Sequence, residues 1–169
     1  MAGPTPNDAP FITPAMAIAP DWIDYNGHLN MAYYLVVFDR ASDIVFAALG
    51  MGPDYAAARA MTTYTAEAHI AYLREVHADA QLVCDYQILD HDEKRIHGFQ
   101  RMRHATQGWL AATCETLTLH VDRSGPRVAP FPADIAANVA QMAERHALLP
   151  RPDGAGRAIA MRRRPTAPT

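Results

Sequence analysis

Asp21-Trp22-Ile23-Asp24-Tyr25-Asn26-Gly27-His28-Leu29-Asn30 sets two acids, a glycine, a histidine and two asparagines directly ahead of the apolar stretch Met31 to Leu49. Within that stretch Met31, Tyr34, Leu35, Phe38, Val45 and Leu49 recur at helical spacing, and Gly50 and Gly52 end the pattern. Val36, Val37, Ile44 and Phe46 fall on other faces, so the helix is apolar almost all round and needs cover on several sides. The loop has the composition of a reaction site. Free N–H groups at a helix start can polarise a carbonyl, while a carboxylate a few residues upstream can attack it or activate water.

Working outward, Phe11 to Ala19 reads as a leading strand, and a short Ala-rich helical turn follows the long helix. Four strands are then expected, Thr62 to Leu73, Gln81 to Leu89, Ile96 to His104 and Trp109 to Val121. In the second, Leu82, Cys84, Tyr86 and Ile88 alternate with Val83, Asp85 and Gln87, the period of a strand with one buried face. The links Asp90-His91-Asp92-Glu93-Lys94 and Thr106-Gln107-Gly108 are short, polar and hairpin-like. Pro132 opens a second helix to about Leu148, with Ile135, Val139 and Met142 on one stripe. The pattern predicts an α+β fold in which an antiparallel sheet wraps around a long central helix.

With 169 residues, 50% apolar and 20% charged, the chain suits one domain, expected over residues 11–148. Residues 1–10, rich in proline, and residues 149–169, basic and rich in proline and glycine, are expected to be loosely ordered ends. A net charge of -3 offers no general attraction to nucleic acid or to an anionic membrane. No apolar run approaches a membrane span, and the first ten residues lack the basic and apolar regions of a secretory leader. Cys84 and Cys114 form no CxxC pair, so two free thiols in a reducing, cytoplasmic compartment are expected.

Asp24 is the first candidate for the reacting carboxylate; its bland alternative is a loop acid that caps a turn. Gly27 permits close approach of a carbonyl, and the amides of Gly27 and His28 are candidates to face an oxyanion. His28 can orient the loop or hydrogen-bond the substrate, and Asn30 can cap the helix and position water. Glu67 and His69, two apart on a strand, share a face and can form a hydrogen-bonded acid–imidazole pair that assists catalysis in a pocket or stabilises a dimer contact. Asp39 and Asp43 read as polar groups of the helix with Arg40 as a partner. Arg95, Arg101, Arg103 and Lys94 are either phosphate contacts or a solvated strand face. His91, His97, His104 and His120 fit no common zinc spacing, so no metal ligands are expected. GxSxG, P-loop and GxGxxG patterns are absent.

The stretch Asp24-Tyr25-Asn26-Gly27-His28-Leu29-Asn30, followed by a helix carrying Tyr33 and Tyr34, resembles the signature of hot-dog-fold acyl-CoA thioesterases of the 4-hydroxybenzoyl-CoA thioesterase type, from about Pro14 to Pro132. More narrowly, Trp22 to His28, Glu67 to Glu75, Leu89 to His97 and Leu119 to Asp122 resemble the thioesterases of carnitine degradation that act on betainyl-CoA. The resemblance implies a hot-dog fold and hydrolysis of a small acyl-CoA without metal or redox cofactor. It also implies a homodimer, often paired into a homotetramer, with acyl-CoA at the subunit interface. It places the key carboxylate at Asp24, as nucleophile or as general base. Trp22, Tyr25, Tyr33 and Tyr34 supply rings for a quaternary ammonium. The chain departs from that narrower pattern at Met31, where an acid is common. A non-catalytic acyl-CoA sensor and a hot-dog enoyl-CoA hydratase are the alternatives on the same fold.

Overall fold

The long apolar helix forms as expected: α1 spans Met31–Ala48 and lies along one face of a single antiparallel sheet. A computed structural model describes residues 9–161. The remaining elements are β1 (Phe11–Ile12), β2 (Met16–Ala17), a single 3₁₀ turn (Pro20–Trp22), α2 (Pro53–Arg59), β3 (Met61–Tyr72), β4 (Gln81–His91), β5 (Arg95–His104), β6 (Leu110–Asp122), β7 (Arg127–Val128) and α3 (Ala133–His146). The sheet runs β1-β4-β5-β6-β3, with β2 also on β4 and β7 on β6, so β3 forms one edge.

Alternation along the strands decides what meets the helix. Ala112 and Cys114 of β6, Met102 of β5 and Leu82 and Cys84 of β4 pack with Val37, Phe38 and Ala41 of α1. Farther along the helix, Val45, Phe46 and Leu49 meet Tyr86, Ile88 and Ile96 and the stripe Ile135, Val139 and Met142 of α3. Asn138 ties the helices by donating from Nδ2 to the Leu49 carbonyl at 3.0 Å. At the far end His120, fully buried, accepts the Tyr55 hydroxyl at Nε2 (2.7 Å) while its Nδ1 donates to the Ala129 carbonyl (2.8 Å). A carbonyl only accepts, so this geometry selects the Nδ1–H tautomer.

Three features differ from the sequence expectation. The leading strand is two short pieces rather than one, because Pro14 has no N–H for the ladder. Thr13 bridges the gap, exchanging its backbone N–H and its Oγ1 with the Cys84 carbonyl and N–H. The cover of α1 is also incomplete within one chain: Met31 is 66% and Leu35 46% exposed, and Leu35 lines a groove between α1 and β3. Finally, part of the segment read as a loose C-terminal end is seated on the outer face of the sheet. Gly156 N–H donates to Glu115 Oε2 at 2.7 Å, Gln87 Nε2 donates to the Pro150 carbonyl, and Pro152 is buried. The triple arginine Arg162 to Arg164 lies outside the described residues.

Gly98 allows one close approach. A Cβ there would lie 2.6 Å from Tyr86 Cζ, and the Tyr86 hydroxyl is buried without a hydrogen-bond partner among the described residues. Gly98→Ala is expected to destabilise the fold by about 1–3 kcal/mol through overpacking. Tyr86→Phe, which removes an unsatisfied hydroxyl, is expected to be neutral or slightly stabilising; denaturant titration reads both. Burial, then the Asp85 charge, raises the Cys84 thiol far above its usual range, and burial, then Glu115, pushes Cys114 up to about 12. Both thiols should be silent to a disulfide reagent in the folded protein and react fully once it is unfolded.

Candidate active site

The motif loop is a closed turn. Ile23 and Leu29 face each other in a β-bridge, Asp24 N–H donates to the His28 carbonyl (2.9 Å), and Asn30 N–H donates to the Trp22 carbonyl (2.9 Å). Gly27, at φ +80°, makes the reversal and donates its N–H to the Asp24 carbonyl at 2.9 Å. Asn30 caps α1: its Oδ1 accepts Ala32 N–H at 3.0 Å. The assembly is then anchored to the β3–β4 connection, because Leu29 N–H donates to the carbonyl of fully buried Val76 at 2.8 Å.

Asp24 is half-buried in this turn. One carboxylate oxygen accepts Asn26 N–H at 2.8 Å; among the described residues the other has no hydrogen-bond partner, and Asp24 enters no ion pair. The carboxylate lies close enough to the Tyr34 phenol to be one of the charges that raise it, behind burial and the Glu75 charge. Of the amides expected to face an oxyanion, that of Gly27 is consumed by the turn itself. His28 and Met31 N–H groups, by contrast, have no protein partner among the described residues. The Tyr25 N–H is open in the same way, and the Met31 N–H lies at the positive end of α1.

The other sequence candidates divide by location. Trp22 is 8% exposed and stacked on Tyr33 with ring centroids 5.2 Å apart, and Arg40 lies over the Trp22 ring at 4.8 Å. Both rings therefore support the loop from inside, whereas Tyr25 is 98% exposed at its tip. The His28 imidazole turns toward Glu75, Nε2 to Oε2 3.4 Å, and meets His77 edge-on. Glu67 and His69 sit opposite Leu117 and Glu115 in the ladder, on the sheet face away from α1, so they are not gathered with the motif loop. On that outer face the acid–imidazole pair is His97 with Glu115, at 2.6 Å, and its signal in the sequence was only the alternation of two separate strands. Arg101 and Arg103 are both engaged by Asp85, Arg95 by Asp92 and Lys94 by Glu93.

A groove of about 440 Å³ opens beside the uncovered side of α1, lined by Ala32, Leu35, Val36 and Asp39 of the helix and by Thr65 and Ala68 of β3. Its small residues on β3 leave the space, and Asp39 supplies a carboxylate at its wall. Four residues on, the packed surroundings of Asp43, then the Asp39 charge, raise the Asp43 carboxyl. Among the described residues, three ligand-type side chains converge in one place, His28, Glu75 and His77, and none of the four histidines considered from spacing is among them.

Comparison with known proteins agrees with this architecture. The family model described as the Thioesterase-like superfamily matches residues 18–139. A betainyl-CoA thioesterase of Pseudomonas aeruginosa is 39% identical over 85% of this chain and 91% of its own length. The bifunctional L-carnitine dehydrogenase/betainyl-CoA thioesterase of Rhizobium meliloti is 40% identical over 84% of this chain, which spans only 28% of that protein. Among solved structures, a putative thioesterase from Pseudomonas putida KT2440 superposes with TM-score 0.78 at 32% identity, over 90% of this chain and 97% of the other. A Staphylococcus aureus protein of hypothetical function, solved in complex with CoA, shares the fold with TM-score 0.82 at 24% identity, over 88% and 94% of the two chains. The antiparallel sheet with the long helix across it is thus the fold of the hot-dog thioesterases, and the chain belongs to the Thioesterase-like superfamily.

Proposed function

We propose that this protein hydrolyses a small acyl-CoA, betainyl-CoA foremost, to the free acid and CoA. The observation that carries the reading is the half-buried Asp24, with one oxygen fixed by Asn26 and the other uncommitted, beside the open amides of His28 and Met31. A thioester carbonyl received by those amides presents its carbon to the free carboxylate oxygen or to a water held by it. As base, Asp24 takes a proton from water, the hydroxyl adds to the carbonyl carbon, the C–S bond breaks, and the proton passes to the leaving thiolate. As nucleophile, the carboxylate itself adds, CoA leaves, and water opens the mixed anhydride. Neither route calls for a metal or a redox cofactor.

The site is proposed to be completed by a second copy, giving a homodimer or a pair of dimers. Supporting this, β3 is a twelve-residue edge strand that shares a groove with exposed Leu35, and its Tyr72 hydroxyl donates to the carbonyl of exposed Met31 at 3.2 Å. Asp39, on the wall of the groove, gives a cationic acyl group an opposite charge there, in place of the acid that Met31 does not supply. Cytoplasmic location fits the two buried, unpaired cysteines, and no helix of the described residues is long and apolar enough to cross a membrane.

Thiol release from a panel of acyl-CoAs tests the activity. Asp24→Asn keeps the oxygen that Asn26 needs and should lose about 10²–10⁴-fold in kcat with the fold intact. Acyl-CoA binding by the wild type without any thiol release would make the protein a sensor, and hydration of an enoyl-CoA would make it a hydratase. Single turnover in ¹⁸O-water traces the nucleophilic route, since ¹⁸O enters Asp24 only when water opens a mixed anhydride at the Asp24 carboxyl carbon, with an unlabelled Asp24 oxygen leaving in the acid. For the acyl group, betainyl-CoA should be preferred over its neutral isostere 3,3-dimethylbutyryl-CoA, and Asp39→Asn should shrink that preference by roughly two- to fivefold, the range of an exposed ion pair.

A further inference from the structure

We infer that His28, Glu75 and His77 form a binding site for a first-row divalent transition metal, Zn²⁺ above all, through which the metal restrains the motif loop and slows turnover. One ligand atom from each of the three side chains lies within 4.8 Å of the others. His28 Nε2 is 3.4 Å from Glu75 Oε2, and the two imidazoles meet edge-on with centroids 4.9 Å apart and planes at 70°. Glu75 and His77 are exposed and His28 is half-buried, so an ion reaches the three donors from solvent.

The backbone brings these groups together. Val76 is fully buried and accepts Leu29 N–H at 2.8 Å, which holds its neighbours Glu75 and His77 on the outside, level with His28. His77 is fixed in turn, its carbonyl accepting Ala80 N–H at 3.1 Å. Two of the donors therefore come from one anchored segment and the third from the motif loop, so little ordering remains to be done on binding. Two imidazoles and one carboxylate suit Zn²⁺, Co²⁺, Ni²⁺ or Cu²⁺ and discriminate against Mg²⁺ and Ca²⁺, which prefer all-oxygen sites. The link to the reaction is short: the His28 carbonyl accepts Asp24 N–H, so an ion that pins His28 also pins the turn carrying Asp24.

The binding claim stands apart from the proposed hydrolysis, and the experiment keeps the two separate. Zn²⁺ titrated calorimetrically into the intact protein should bind once per chain. His77→Ala, and less severely Glu75→Gln, should weaken binding by roughly tenfold or more. Co²⁺ should give visible bands of a site with nitrogen ligands that His77→Ala abolishes. Equal binding by wild type and His77→Ala, or none by the wild type, overturns the site. In the thiol-release assay, Zn²⁺ should slow the wild type reversibly, with recovery on chelation, and leave His77→Ala untouched. Stoichiometric binding without slowing overturns the control of turnover alone, while absence of thiol release with Zn²⁺ binding retained counts against the hydrolase reading and not against the site.

Discussion

The packing of Val37, Phe38, Ala41 and Val45 against the inner face of the sheet is the constraint on which the rest of this molecule depends. It fixes the axis of α1 relative to β4, β5 and β6, and so fixes where the helix begins. A start that floated would leave the turn around Gly27 without a reference. Because the start is held, the turn needs only local bonds to set its shape, and its anchor to Val76 sets its position. Catalytic groups placed on a loop gain precision when a rigid element ends beneath them.

The same packing leaves one side of the helix unsatisfied. The inner face of the sheet covers α1 along one side, and α3 covers its C-terminal half, but the β3 edge presents only Thr65 and Ala68 to the groove. Met31 and Leu35 are left to solvent in the single chain. An apolar stripe beside an edge strand is costly to leave open, and the proposed second copy would cover both at once. On the proposed reading, the incomplete cover of the helix and the incompleteness of the site in one chain have the same origin.

Polar residues on the outer face of the sheet are organised into a different layer. Asp85 holds Arg101 and Arg103, and Glu115 is shared between His97 and the Gly156 amide, where the C-terminal segment crosses the sheet. The basic residues suggestive of phosphate binding in the sequence, Arg95, Arg101, Arg103 and Lys94, therefore each carry a carboxylate partner in the structure.

Sequence alone determined the elements whose signal is local. The helix announced itself by periodicity, its cap by Asn30, the turn by Gly27, and the strands by alternation, because each depends on residues within a few positions of one another. The family signature rests on the same short-range residues. What required the tertiary structure were relations between distant segments: Glu67 and His69 falling on the face opposite α1, Trp22 being sealed by Tyr33 and Arg40, and the Gly27 amide being spent inside its own turn. The meeting of His28 with Glu75 and His77 belongs there too. Alternation tells which residues share a face, but only packing tells which face the helix takes, and only the closed hydrogen-bond network tells which donors remain free.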